Sequence, residues 1–160
     1  MREILFRGKL LDGTWSEGNL EIKTNGVYII TPDETVIGRY GRVIPETVGQ
    51  YTGLTDKNGN KIFEGDVVEY DHERVTTFWE EVPETYKPRR SHSCHWENDV
   101  FHYKRNYVVE WKEKDARWIL RNGSDQHDLR LMPMRMHNGV VIGNIHDNPE
   151  LLKGGEPDAR

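Results

Sequence analysis

Four Asn-Gly dipeptides, beginning at Asn25, Asn58, Asn122 and Asn138, punctuate the chain, and Asp12-Gly13 adds a fifth turn pair. These residue types tolerate positive φ at the least cost, so each pair is expected at the centre of a type I′ turn between antiparallel strands. A chain punctuated in this way is confined to strands joined by tight turns. No window of a dozen residues sustains a 3.6-residue apolar period between caps. The sequence therefore predicts a mainly β fold without long helices.

The flanks of the turns support the reading. A two-residue loop at Asn25-Gly26 pairs Thr24 with Val27, Lys23 with Tyr28 and Ile22 with Ile29, which sets Leu20, Ile22, Val27 and Ile29 on one core face. The same logic across Asn138-Gly139 pairs Met136 with Val141. Met134, Met136 and Val141 then share a side, read as a core stripe and not as a cofactor box. Tyr107–Trp111 and Arg117–Leu120 are aromatic and β-branched runs around a charged loop, a third hairpin. Asn148-Pro149-Glu150 supplies an N-cap, a Pro at the first helical position and an acid in the first turn, so one short helical turn is expected there.

Bulk properties set limits on function. The 160 residues suffice for one ordinary domain. The single cysteine, Cys94, permits no intramolecular disulfide, which suits a reducing compartment. Met1 to Leu10 has no apolar stretch of signal length, and no segment is apolar enough to span a bilayer, so a soluble, cytoplasmic protein is expected. A net charge of −5 argues against general polyanion binding. Charge is nonetheless uneven. Asp66 to Glu81 holds six acids and one base, whereas Glu84 to Arg105 holds five bases and three acids.

Two blocks stand out, far apart in the chain. One runs from Val48 to Val68 and contains Tyr51-Thr-Gly-Leu-Thr-Asp-Lys-Asn-Gly59 and Ile62-Phe-Glu-Gly-Asp66; the other is Val141-Ile-Gly-Asn-Ile-His-Asp-Asn-Pro-Glu-Leu-Leu152. With the opening Arg2-Glu-Ile-Leu-Phe-Arg-Gly-Lys9 and Gly13-x-Trp15-x-Glu-Gly18, they resemble the YopX family of small phage and prophage proteins. The resemblance implies an SH3-like roll, a phage or prophage origin and a bacterial host cell, and it carries no established activity. The element order fits the same barrel, with Gly65-Asp66 entering its first long strand. The expected organisation is an N-terminal β meander over 1–46, an SH3-like barrel over 47–152 swollen by an insert at 71–106, and a flexible tail over 153–160.

Candidate chemistry is sparse. His92, Cys94, His95 and His102 lie within eleven residues, but they lack the paired short turns of a zinc site, and loop histidines are the favoured reading. Cys94 as a nucleophile would need a scaffold that an insert seldom supplies. Glu64 and Asp66 read as a solvated neighbour and a turn residue, and Asp147 as an acceptor for backbone donors. No cofactor, metal site or catalytic set is expected, and the protein is read as a non-enzymatic protein-interaction module, with homo-oligomerisation as one form of partnering. The candidate surface is Lys87, Arg89, Arg90, Trp96, Phe101, Tyr103, Lys104 and Arg105, cations interleaved with aromatics. Through it, the alternative reading is a nucleic-acid-binding accessory protein.

Overall fold

The computed structural model describes residues 3–31, 39–78, 97–129 and 139–152. Its strands are β1 (Phe6–Lys9), β2 (Trp15–Lys23), β3 (Gly26–Thr31), β4 (Arg39–Val43), β5 (Gly49–Thr55), β6 (Lys61–Phe63), β7 (Asp66–Phe78), β8 (Glu97–Lys112), β9 (Arg117–Asn122), β10 (Asp125–Asp128) and β11 (Val140–Asn144). All the pairings are antiparallel. They form two open sheets, one ordered β4-β3-β2-β1-β5-β6 and the other β10-β9-β8-β7-β11. The only helical segments among the described residues are 3-10 turns at Pro45–Thr47, Glu113–Asp115 and Pro149–Leu152, the last where the Asn-Pro-Glu signal placed one. The protein is mainly β, as expected.

The first sheet continues through Phe63, past residue 46, because β1 lies between β2 and β5 and pairs Phe6 with Gln50. One core forms where β5 and β6 cross the second sheet. There Ile62 packs with Val68, Tyr70, Tyr107, Val109, Trp118, Leu120 and Leu129, and Leu54 and Val141 close over them. Val67, Val108 and Ile119 are buried as well, so the second sheet carries apolar residues on successive positions of its strands, and both its faces are apolar.

The turn dipeptides at Asn25, Asn58 and Asn122 do connect strands, but the type I′ geometry is corrected. Among the described non-glycine residues only Ala116 has positive φ, so the Asn of each pair keeps negative φ and glycine alone takes the unusual conformation. At Asn58-Gly59 the result is a turn closed by Gly59 N–H donating to Asp56 C=O at 3.0 Å, with Gly59 at φ +85° after it. At Asn122-Gly123 the two-residue loop is Gly123-Ser124, because Asn122 pairs with Asp125. At Asn25-Gly26 the loop is Thr24-Asn25. Ile22 therefore faces Val27 and Leu20 faces Ile29, two residues from the predicted partners. A shift of two preserves the face, so Leu20, Ile22, Val27 and Ile29 do share one side. Ile29 is fully buried, yet Ile22, next to the turn, is 75% exposed. Asn138, Met134 and Met136 lie outside the described residues, as does the tail.

The described parts of the expected insert are strand. Residues 71–78 continue β7, residues 97–106 belong to β8, and the register runs unbroken from Val67↔Val108 to Phe78↔Glu97.

Candidate functional site

The opening run and both sequence blocks converge where the two sheets meet. Arg7, from β1, places a guanidinium nitrogen 2.5 Å from Asp66 Oδ1, and the other carboxylate oxygen of Asp66 accepts the Phe63 backbone N–H at 2.7 Å. The guanidinium lies 4.7 Å from the ring centroids of both Trp15 and Phe63. Asp66 is 0% exposed. Burial pushes its carboxyl upward, and the Arg7 charge and the Phe63 N–H offset this only in part. Asp66 is thus more than the turn residue the sequence suggested, because it carries a buried ion pair across the seam.

Beside it lies a second pair. Lys9 Nζ donates to Asp147 Oδ1 at 2.5 Å, while Trp15 Nε1 and Asn144 Nδ2 donate to Oδ2 at 2.7 and 3.0 Å. Those bonds, Lys9's first, hold the Asp147 carboxyl well below the usual range. It is Asn144, not Asp147, that caps the local backbone, its Oδ1 accepting the N–H groups of His146 and Asp147 at 2.9 Å. His146 tilts against Trp15 with ring centroids 6.1 Å apart, and burial lowers its pKa despite Asp147 beside it. Gly65 threads this junction with φ +80°. Its N–H donates to Val109 C=O and its C=O accepts from Ile145 N–H, both at 2.9 Å.

Next to the seam opens a cleft of about 410 Å³ lined by Val48, Glu64, Val108, Glu110, Ile145 and His146 among others. Glu64 is half-buried here and not a solvated neighbour. Burial raises its pKa and the Glu110 charge adds to the rise, against N–H groups of Gln50 and Trp111. Glu110 is itself ion-paired to Arg121 at 2.6 Å. No cluster among the described residues has a donor set that could hold a metal ion.

The residues singled out from the sequence are not gathered in one described site. Lys87, Arg89, Arg90, Trp96, His92, Cys94 and His95 lie outside the described residues. Phe101, His102 and Tyr103 fall on β8. Lys104 bonds Glu69 at 2.7 Å, and Arg105 bonds Asp125 at 3.1 Å. Sequence reading passed over Arg7, Lys9, Trp15, Glu110 and His146. A signal for four of them was present, since Arg7, Lys9, Trp15 and His146 sit inside the motifs, but nothing local says that those motifs touch.

Fold and seam together define a two-sheet antiparallel β protein whose sheets are pinned by buried and half-buried charge. The family model described as YopX protein matches residues 11–153, and the chain belongs to that family. Among solved structures it is similar to protein EF1440 from Enterococcus faecalis, with TM-score 0.50 and 19% identity over 95% of this chain and 99% of that one. At that identity the likeness concerns the fold alone. No curated protein matches. No helix among the described residues is long and apolar enough to cross a membrane.

Proposed function

We propose that the chain is a non-enzymatic accessory protein of phage or prophage, an SH3-like roll acting in the host cytoplasm by binding a protein partner through the β7–β8 ribbon. The carrying observation is how that ribbon is paired. Only Asp66–Glu69 of β7 is flanked by β11, and only Val108–Lys112 of β8 by β9. From Tyr70 to Phe78 and from Glu97 to Tyr107, each strand has the other as its one strand partner among the described residues. Nine residues of such ribbon reach about 30 Å from the sheet. A two-stranded ribbon is marginal in water by itself, and edges that no described strand covers could take an added strand by main-chain hydrogen bonds.

The charged groups of the seam favour binding over catalysis, since Asp66, Asp147 and Glu110 are each held in an ion pair. Nucleic-acid binding is less favoured, because Lys104 and Arg105 each face a carboxylate. The test is capture from induced bacterial cells by the full chain and by a variant with Glu73 to Lys104 replaced by a Gly-Ser linker. The shortened protein should keep a cooperative melt and lose its partner. Capture of the same partner by both proteins would overturn the reading, and salt-dependent binding to single-stranded oligonucleotides would replace it with the nucleic-acid alternative.

A further inference from the structure

Asn25-Gly26 differs from the other two described Asn-Gly pairs in what surrounds it. Asn25 lies in the two-residue loop at the tip of the β2–β3 hairpin, held by the pairing of Lys23 with Gly26. Its side chain is exposed and has no hydrogen bond to another described residue. A cation packs against the glycine that follows, since a β-carbon at Gly26 would stand 2.8 Å from Arg42 Nε and 3.3 Å from its Cζ. Arg42 is exposed on β4 and has no ion pair among the described residues. Lys23, the other cation at this turn, is paired with Glu21 at 3.0 Å.

The other two sites lack that cation. A β-carbon at Gly59 or Gly123 would meet nothing within 4 Å. At Asn58-Gly59 the neighbouring charge is negative: the Asp56 carboxylate accepts the N–H groups of Asn58 and Asn60 at 2.8 Å each, and Gly59 N–H is held by Asp56 C=O. At Asn122 the side-chain amide is itself tied, with Nδ2 donating to Asn106 C=O at 2.8 Å. One asparagine is thus loose beside a cation, one is loose beside an anion, and one is anchored.

We infer that Asn25 is a site of spontaneous deamidation, promoted by Arg42. Hydroxide takes the Gly26 amide proton, and the nitrogen bonds to Asn25 Cγ; the Cγ–Nδ2 bond breaks and ammonia leaves, closing a succinimide ring. Water then opens the ring at Cγ to give aspartate, or at the main-chain carbonyl carbon to give isoaspartate. The guanidinium stabilises the amide anion that attacks, whereas Asp56 opposes the same anion at Gly59. Glycine leaves the path to Cγ clear, and at a hairpin tip only the last pair need open. The product carries a new carboxylate beside Arg42, and the isoaspartyl form lengthens the main chain by one methylene, which spoils the register set by a two-residue loop. The inference rests on this hairpin alone and is independent of what the ribbon binds.

The experiment incubates the full chain at neutral and mildly alkaline pH and follows each Asn-Gly pair by peptide mass spectrometry, with aspartyl and isoaspartyl peptides separated by chromatography. Asn25 should convert about tenfold faster than Asn122 and about threefold faster than Asn58. Arg42→Gln should slow Asn25 about threefold and leave Asn58 and Asn122 unchanged. Arg42→Lys keeps the charge and should hold the parent rate, which separates the cation from any loosening of the hairpin. In concentrated urea the three sites should converge, because neither Arg42 nor Asn106 is then in place. Conversion of Asn122 as fast as Asn25 in the folded protein overturns the inference, as does an Arg42→Gln variant that keeps the parent rate or an Arg42→Lys variant slowed as much as Arg42→Gln.

Discussion

The seam between the sheets and the ribbon beyond them treat polar groups in opposite ways. At the seam, Arg7, Lys9, Trp15, Asp66, Asn144 and Asp147 answer one another, and the residues that carry the family resemblance are drawn together. Along the ribbon, main-chain groups on the outer side of each strand have no strand beside them among the described residues. The difference teaches where function is to be sought. The motif residues hold the sheets to each other, and under the proposed reading the segment without recognisable motifs is the one that would meet a partner.

The largest expected effect breaks the seam. Arg7→Met leaves Asp66 buried without its cation and should cost about 3–5 kcal/mol in denaturant unfolding, whereas Arg7→Met/Asp66→Leu should restore most of it. A loss within experimental error for the single variant would make the pair ornamental. The ribbon gives the next contrast, in amide hydrogen exchange. Amides from 71 to 78 and from 97 to 106 should exchange about a hundredfold faster than those of Val67, Val68 and Val109, since few contacts resist their opening. Equal protection along β7 would join the ribbon to the core.

Smaller effects sharpen the comparison. Asp56 accepts the N–H groups of Asn58, Asn60 and Val141, at 2.8, 2.8 and 3.2 Å, and so fastens the β5–β6 turn to β11. Asp56→Ala should lower stability by about 2 kcal/mol, checked by thermal melts. The smallest effect is one of pH. His146 and Asp147 both have depressed pKa values in the fold, so at these two positions the unfolded chain binds protons more readily than the native one. Their contribution to stability should be complete above the ordinary histidine value of 6.5 and decline slightly below it. It should decline again as the pH falls below 3.8, the ordinary value for Asp147. Both groups are partly solvated, so each step is shallow. His146→Gln should flatten the first step, and Asp147→Asn the second.

What the sequence made legible was local. Glycine after Asn or Asp marks a turn wherever it stands, so the turns at Asn25, Asn58 and Asn122 could be placed from a few residues. Their registers were not legible, because Asn tolerates positive φ without requiring it, and glycine took that conformation alone. The charged run Asp71-His-Glu-Arg74 read as insert because alternation marks a strand only where one face is buried, whereas a ribbon is held by its own ladder. The seam was the least legible part. Arg7 and Asp66 stand 59 residues apart, and no periodicity joins a β1 arginine to the residue after a turn glycine.

Asp147 is 138 positions from Lys9 and 132 from Trp15. The junction that holds the sheets together therefore forms only late in synthesis. Until residues 144–147 leave the ribosome, Lys9 and Trp15 lack their acceptor, and β7 lacks β11 on its outer edge. Closure over such separations is slow. A nascent chain that ends before residue 140 has β7 without its β11 neighbour and the core without Val141, and such unpaired strand edges and apolar surface are what chaperones and other unfinished copies bind.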